Sequence, residues 1–119
     1  MAKDFTKEWN RAKNAARIAG EKWIAEHTQP MYAVKDGFSG RVVGTMLDVC
    51  GRCYVQTKMN TAFGRWTKKQ DRQQGKWLHF RNELEYRQEM GLHEAMATAA
   101  LKSLESDGIE GLTLYSWVD

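Results

Sequence analysis

Residues 92–118 read LHEAMATAALKSLESDGIEGLTLYSWV, and this stretch decides the fold class. Its first part predicts an amphipathic helix over residues 92–105, because apolar residues recur there every three or four positions. Gly108 can then adopt the left-handed conformation that ends a helix, with Ile109 folding back as the hydrophobic contact. Residues 112–118 alternate in the manner of a terminal strand. A helix followed directly by a strand indicates a mixed α+β protein.

A second helix is predicted over residues 5–26, where apolar residues recur at alternating spacings of four and three. Its stripe consists of Phe5, Trp9, Ala12, Ala16, Ala19 and Trp23. Asp4 or Thr6 can cap the start of this helix. The alanines predict close packing against a sheet, and we expect the tryptophans of the stripe, together with Trp117, in the core.

Between the helices the sequence predicts strands separated by glycine turns. Residues 31–35 and 41–50 have β-like composition on either side of a turn at 36–40. A two-residue turn at Gly51-Arg52 would place Cys50 opposite Cys53. The sheet that results is apolar on both faces and needs cover on both.

Aromatic pairing predicts a further hairpin in residues 62–86. One register sets Trp66 opposite Trp77 and Phe63 opposite Phe80, and such pairs stabilise a sheet by up to about 1 kcal/mol each. The elements together predict an α+β fold in which an antiparallel sheet of about four to five strands packs with an N-terminal and a C-terminal helix.

Charge is unevenly distributed within what we expect to be a single domain of residues 1–119, the usual size for one hydrophobic core. Residues 1–51 have a net charge of +2. Residues 52–81 contain eight basic residues and one acidic residue, a net charge of +7, whereas residues 82–119 have a net charge of −6. A basic middle and an acidic end predict two oppositely charged surfaces.

The first functional hypothesis is a small non-catalytic binding protein that engages nucleic acid, or the nucleic-acid channel of a larger complex, through the basic hairpin. Trp66 and Trp77 frame its polar loop, which places cations for phosphates beside rings for bases. The candidate binding residues are Arg65, Trp66, Lys68, Lys69, Arg72, Lys76, Trp77 and Arg81. The simpler alternative is a cross-strand tryptophan pair that stabilises the hairpin without a ligand.

The rival hypothesis is an inhibitor or regulator that binds a host protein complex through the apolar sheet face and the acidic C-terminal third. A homodimer belongs to the same hypothesis. Small size, five tryptophans and the lack of an enzyme signature resemble the general style of phage accessory proteins that inhibit host machinery. An acidic surface can block a basic groove by occupying the place of nucleic acid.

The sequence Cys50-Gly51-Arg52-Cys53 raises a third hypothesis, a zinc or redox protein. A zinc site needs paired ligands, but there is no second CxxC and the three histidines are scattered. A redox pair favours a helix N-terminus, whereas β-like residues flank this pair. Turn cysteines packed as small apolar residues are the simpler interpretation, so we expect no metal, no cofactor and no enzyme activity.

The sequence predicts a cytoplasmic protein that does not contact membranes. No apolar run approaches the roughly 18 residues that a membrane-spanning helix needs. The first residues also lack the apolar core of a secretion signal.

Overall fold

The computed structural model describes residues 3–27, 32–35, 42–46, 51–74, 77–80, 84, 87 and 89–118. Within these ranges no helix is both long enough and apolar enough to cross a membrane. The elements are, in chain order, α1 (Thr6–Glu26), β1 (Tyr32–Lys35), β2 (Val42–Met46), β3 (Gly51–Thr57), α2 (Ala62–Lys69), β4 (Gln73–Gln74), β5 (Trp77–Leu78), α3 (Met90–Ser106) and β6 (Leu112–Val118).

The strands form two separate antiparallel sheets. One has the order β4-β5-β3-β6, and the other is the hairpin of β1 and β2. The α+β class is therefore confirmed, whereas the single sheet of about four to five strands is not. The predicted strands at 31–35 and 41–50 are confirmed over Tyr32–Lys35 and Val42–Met46, whereas residues 31, 36–41 and 47–50 lie outside the described ranges.

The main ladder pairs β3 with β6 in unbroken register. Seven residue pairs run from Gly51 opposite Val118 to Thr57 opposite Leu112. The predicted turn at Gly51-Arg52 is wrong, because both residues lie inside β3 and Arg52 pairs with Trp117. A turn at these two residues would require the strand before them to pair with the strand after them. Instead, β3 pairs with β6, which lies far along the chain.

The predicted N-terminal helix is confirmed as α1, but it packs chiefly against α3 rather than directly on the sheet. Its buried positions include Ala12, Ala16 and Gly20, whose small size lets the two helices approach closely. Asp4 lies just before the helix, where its Oδ1 accepts hydrogen bonds from the Thr6 amide at 3.0 Å and the Thr6 hydroxyl. These bonds lower the pKa of the Asp4 carboxyl.

The predicted C-terminal helix is confirmed as α3, together with the turn that ends it. Gly108 has φ +83°, and its amide donates to the carbonyl of Glu105 at 3.0 Å. The Ile109 amide donates to the carbonyl of Leu104 at 3.1 Å, and the Ile109 side chain is buried. These paired bonds are a Schellman motif, which turns the chain from α3 into β6.

The predicted hairpin over residues 62–86 is wrong, because its first half is the helix α2. The Thr61 hydroxyl caps this helix by accepting from the Gly64 amide at 2.9 Å. Phe63 and Trp66 are one helical turn apart and both buried, so helical spacing explains them better than cross-strand pairing.

One aromatic cluster joins α2 to the start of α1. Trp9 is 1% exposed and stacks on Phe80 with ring centroids 4.2 Å apart. Phe5 meets Phe63 edge-to-face at 5.2 Å, and Trp66 packs at 5.9 Å from Phe5 and 6.1 Å from Trp9. Trp66 therefore belongs to the core and holds α2 in place.

We predict that Gly64→Ala destabilises the protein although alanine is the better helix former. A Cβ at residue 64 would lie 2.1 Å from the carbonyl oxygen of Lys58, a backbone atom that cannot move aside alone. Helix propensity gains about 1 kcal/mol, whereas overpacking costs about 1–3 kcal/mol or more. Urea unfolding should show a net loss. Ala62→Gly, at an exposed position of the same helix, reports propensity alone, and a stabilised Gly64→Ala would contradict the packing.

Candidate nucleic-acid interface

The two faces of the β3–β6 ladder differ in their cover. Along β3, residues at 51, 53, 55 and 57 are buried, whereas Arg52, Tyr54 and Gln56 are only partly buried. α3 packs on the first face, where Val55 and Met96 line one small cavity of about 20 Å³. The second face lies on the other side of the ladder, because successive strand residues point to opposite sides. It meets the start of α3 at one place, where the ring of Tyr54 lies 6.2 Å from the ring of His93.

Four aromatic side chains gather on that second face, and we call this group the aromatic face: Tyr54, Trp77, Tyr115 and Trp117. Strand register explains the grouping, since Tyr115 is opposite Tyr54, and Trp77 is opposite Gln56 on the other side of β3. Trp77 stacks on Tyr115 with ring centroids 5.1 Å apart and lies 5.6 Å from Trp117. Tyr54 lies 6.2 Å from Trp77 and 6.0 Å from Trp117.

The aromatic face remains accessible to solvent. Tyr115 is 53% exposed, and the other three rings are partly buried, in part by one another. Arg52, Gln56 and Thr113 lie among the rings by register. The surface therefore combines ring faces with hydrogen-bonding side chains and one cation.

Arg52 is held at one end of the aromatic face. It pairs across the ladder with Trp117, and its Nη1 donates to the carbonyl oxygens of Gly51 at 3.2 Å and Arg87 at 3.3 Å. Nε2 of His93 lies 2.6 Å from the same Arg87 oxygen. This shared carbonyl connects the face to the start of α3.

A second surface is the exposed side of α2, which we call the basic helix face: Arg65, Lys68 and Lys69. All three side chains are exposed, and the two lysines lie in the last helical turn, where the helix dipole favours positive charge. Arg65 and Lys69 border an open groove of about 780 Å³ that Lys3 also lines. The Thr61 hydroxyl, which donates to the carbonyl of Lys58 at 2.8 Å, ties α2 to the end of β3.

The predicted binding residues do not lie on one hairpin. Trp66 is 9% exposed and belongs to the core, whereas Trp77 lies on the aromatic face. The guanidinium of Arg72 packs 5.6 Å from the ring of buried Trp9 instead of extending from a polar loop. Lys76 and Arg81 lie outside the described residues. Arg65, Lys68 and Lys69 remain together, but on a helix.

The acidic C-terminal third is not one uniform surface either. Asp107 pairs with Arg11 on α1 at 3.1 Å, and nearly buried Glu89 pairs with Arg87 at 2.6 Å. The exposed acidic residues in the described part of this segment are Glu94, Glu105 and Glu110. Two of the acidic side chains counted in this segment are therefore paired with arginines of the same chain and add little negative charge to the surface.

Cys53 lies in a strand rather than in a turn. Its side chain is buried as a small apolar residue, and burial, with a smaller effect of Glu94, raises the pKa of the thiol to about 11. No group of three or more metal-ligating side chains occurs in the ranges that the structure covers, and Cys50 lies outside them. A raised thiol pKa opposes nucleophilic and redox chemistry, which depend on the thiolate.

The sequence interpretation missed Tyr54, Tyr115 and Trp117 as surface residues. The prediction that Trp117 lies in the core is wrong, whereas Trp9 is confirmed there and Trp23 packs, partly buried, against the core. The period of two in β6 puts Tyr115 and Trp117 on one face, and that signal was present. Identifying the outward face required the pairing with β3, which the sequence does not reveal.

No protein-family model, no curated protein and no solved structure matches this chain. Function is therefore inferred from these surfaces.

We predict that Cys53 resists thiol modification in the folded protein. A Cys50→Ser variant leaves it as the single cysteine. Because its pKa rises from an ordinary value of 9.0 to about 11, the thiolate fraction at pH 8 falls about 100-fold, and burial slows access further. Disulfide-exchange rates with a chromogenic reagent, with and without urea, measure the difference.

The same shift sets the direction of a pH effect on that variant. The unfolded thiol ionises near 9.0 and the folded thiol near 11, so stability falls as pH rises between these values. Rapid modification of the folded state, titrating below pH 9, would instead support a reactive cysteine.

Proposed function

We propose that this chain is a non-catalytic binding protein for single-stranded nucleic acid, alone or within a larger complex, and that the aromatic face is its base-stacking surface. The observation that supports this most is the cluster of Tyr54, Trp77, Tyr115 and Trp117 on the sheet face opposite the helices. Every base has a π-face, so stacking on such rings is tolerant of sequence.

A single strand fits this face better than a duplex. Bases within a duplex are stacked on each other, so rings on an open sheet face reach them only when they are unpaired. Tyr115, the most exposed ring of the cluster, is flanked by Trp77 and Trp117 at 5.1 and 5.9 Å. Gln56 and Thr113 add hydrogen-bonding groups beside the rings.

The basic helix face supplies the phosphate contacts in this proposal. α2 begins just beyond the end of β3 and is tied to it by the contact between Thr61 and Lys58, another exposed cation. The proposal requires the bound strand to continue past the end of β3 to Arg65, Lys68 and Lys69, two of which border the groove beside Lys3, just before α1. Phosphate contacts position the strand without selecting its sequence.

A protein partner is the second candidate, and the composition of the same face favours it. Tyrosine and tryptophan are enriched at the centres of protein interfaces, and partly exposed rings are typical anchors. An inhibitor of a nucleic-acid-processing complex would use this surface together with the exposed carboxylates of Glu94, Glu105 and Glu110. Its binding would depend far less on salt than binding to phosphates does.

A cytoplasmic location is part of the proposal. Cys53 is a free buried thiol, which suits a reducing compartment.

We predict that Tyr115→Ala weakens binding to oligo(dT) and oligo(rU) of about 12 nucleotides by about 5- to 150-fold, because one stacked base contributes about 1–3 kcal/mol. The salt dependence should stay unchanged, since stacking releases no counterions. Fluorescence anisotropy measures both quantities. Tyr115→Phe keeps the ring and should bind as the wild type does. Trp66→Ala is unsuitable as a probe because Trp66 supports the core.

Failure of the wild type to bind either oligonucleotide at about 50 mM salt would exclude direct nucleic-acid recognition. Equal loss in Tyr115→Ala and Tyr115→Phe would show that the hydroxyl, rather than ring stacking, carries the contact.

We predict that replacing Arg65, Lys68 and Lys69 together by alanine flattens the log-log dependence of affinity on salt by up to about 2 units. Each contacted phosphate of a single strand contributes a slope of about −0.7. Titrations between about 50 and 200 mM salt measure the slope. The matched control replaces Lys7, Lys13 and Lys22, three exposed cations of α1, and should leave the slope as it is. Equal slopes for both triple variants would remove the basic helix face from the interface.

A further inference from the structure

β6 is an edge strand of its sheet, and it lacks the charged residues that are usual in edge strands. In the order β4-β5-β3-β6 it pairs with β3 on one side, and no strand among the described residues pairs with its other edge. Its seven residues, LTLYSWV, include no charged residue and no proline. Natural edge strands commonly carry lysine, proline or a bulge, which prevent pairing with another chain. β6 has none of these, since its register with β3 is unbroken.

The side chains of β6 leave apolar surface exposed on both sides of the sheet. Leu114 and Val118 lie on the helix side, opposite Val55 and Gly51, and are 40% and 62% exposed. Tyr115 lies on the other side and is 53% exposed. α3 covers β3 well, because Val55 is only 1% exposed, and it also contacts β6, but it leaves Leu114 and Val118 largely uncovered.

We propose that this edge is a homodimer interface, in which β6 of a second copy pairs antiparallel with β6 about a twofold axis. The register that pairs all seven residues is centred on Tyr115 opposite Tyr115 of the partner subunit. Leu114 then lies opposite Ser116 of the partner subunit, and Leu112 opposite Val118 of the partner subunit. Each residue meets one on the same face, so apolar side chains adjoin across the axis on the helix side.

The absence of charge in β6 favours a second copy as the occupant. In the antiparallel pairing centred on Tyr115, only the residues at or next to the centre lie near their own copies, so a lysine or glutamate there would be repelled by its copy. A charged residue nearer either end would lie opposite an uncharged residue of the partner strand. With none among the seven, self-pairing has no such penalty. A strand without charge also gives a charged peptide no complementary partner.

The size of the edge determines how strong this dimer can be. A seven-residue strand is about 24 Å long, and pairing along one edge buries an area at the low end of specific interfaces, below roughly 1,200 Å² in total. We therefore expect a dimer that forms and dissociates with concentration. Pairing of the two β6 strands would join the two sheets into one continuous sheet, so the dimer would also bring two aromatic faces side by side.

Analytical ultracentrifugation across the micromolar to millimolar range tests the interface. The wild type should pass from monomer to dimer, and Leu114→Lys or Val118→Lys should raise the dimer dissociation constant at least about tenfold. Leu114→Lys places two new cations near the axis, whereas Val118→Lys places one cation opposite apolar Leu112 at each end of the paired strands. Ile18→Lys is the matched control, because Ile18 is 52% exposed on α1, and it should dimerise as the wild type does.

Both lysine variants lie on the helix side, so oligonucleotide binding by the monomer should survive in them. A loss of dimer without a loss of nucleic-acid affinity per chain separates this interface from the aromatic face. A wild type that stays monomeric throughout, or a control that dissociates as readily as the variants, would overturn the homodimer.

Disulfide cross-linking tests the register. Directly opposite residues of an antiparallel pair have Cα atoms about 4.5–5.5 Å apart, which lies within the range that a disulfide spans. Tyr115→Cys in a Cys50→Ser background should therefore give a reducible covalent dimer on mild oxidation, whereas Ile18→Cys in the same background should remain monomeric. Equal cross-linking of both, or of neither, would contradict the twofold axis at Tyr115.

Discussion

The seven-residue ladder between β3 and β6 is the constraint on which the other features depend. It fixes which face of the sheet each side chain lies on, so that Cys53 and Val55 lie on the face that α3 covers while Tyr54 lies on the opposite face. It also sets Tyr115 and Trp117 beside Tyr54 rather than beneath α3. A shift of one residue would reverse every side chain and bury the aromatic face. The fold and the candidate interface thus follow from one register.

Two of the helices, α1 and α3, and the last strand could be predicted because their signals are local. The stripes of α1 and α3 lie within single segments, and the turn at Gly108 and Ile109 needs only a glycine followed by an apolar residue. β6 shows its alternation over seven residues. In each case the local preferences of backbone and side chains agree with the structure that tertiary packing requires.

The candidate interface was harder to predict because it combines segments that are distant in the sequence. Trp66 and Trp77 have the spacing of a hairpin pair, but the Thr61 cap commits residues 62–69 to a helix and turns Trp66 inward. Tyr54 and Tyr115 meet only through the ladder. The net charges of segments did not predict the charged surfaces for a related reason. A sum along the chain takes no account of ion pairs between distant segments, such as that of Arg11 with Asp107. Local chemistry indicates which residues can bind, whereas register decides which of them lie together.

The sequence separation of β3 and β6 also determines when this protein can acquire its structure. The whole segment from α2 to α3 lies between the two strands, so the ladder closes a long loop. During synthesis, β3 emerges well before its partner, and α1 must likewise wait for α3, its principal packing partner. α1 and β3 therefore remain without these partners until α3 and β6 have been synthesised, whereas β1 and β2 can pair with each other early. Contacts between distant segments form slowly. The uncharged strand β6 completes the sheet, and the edge that it offers to a second copy exists only after that step.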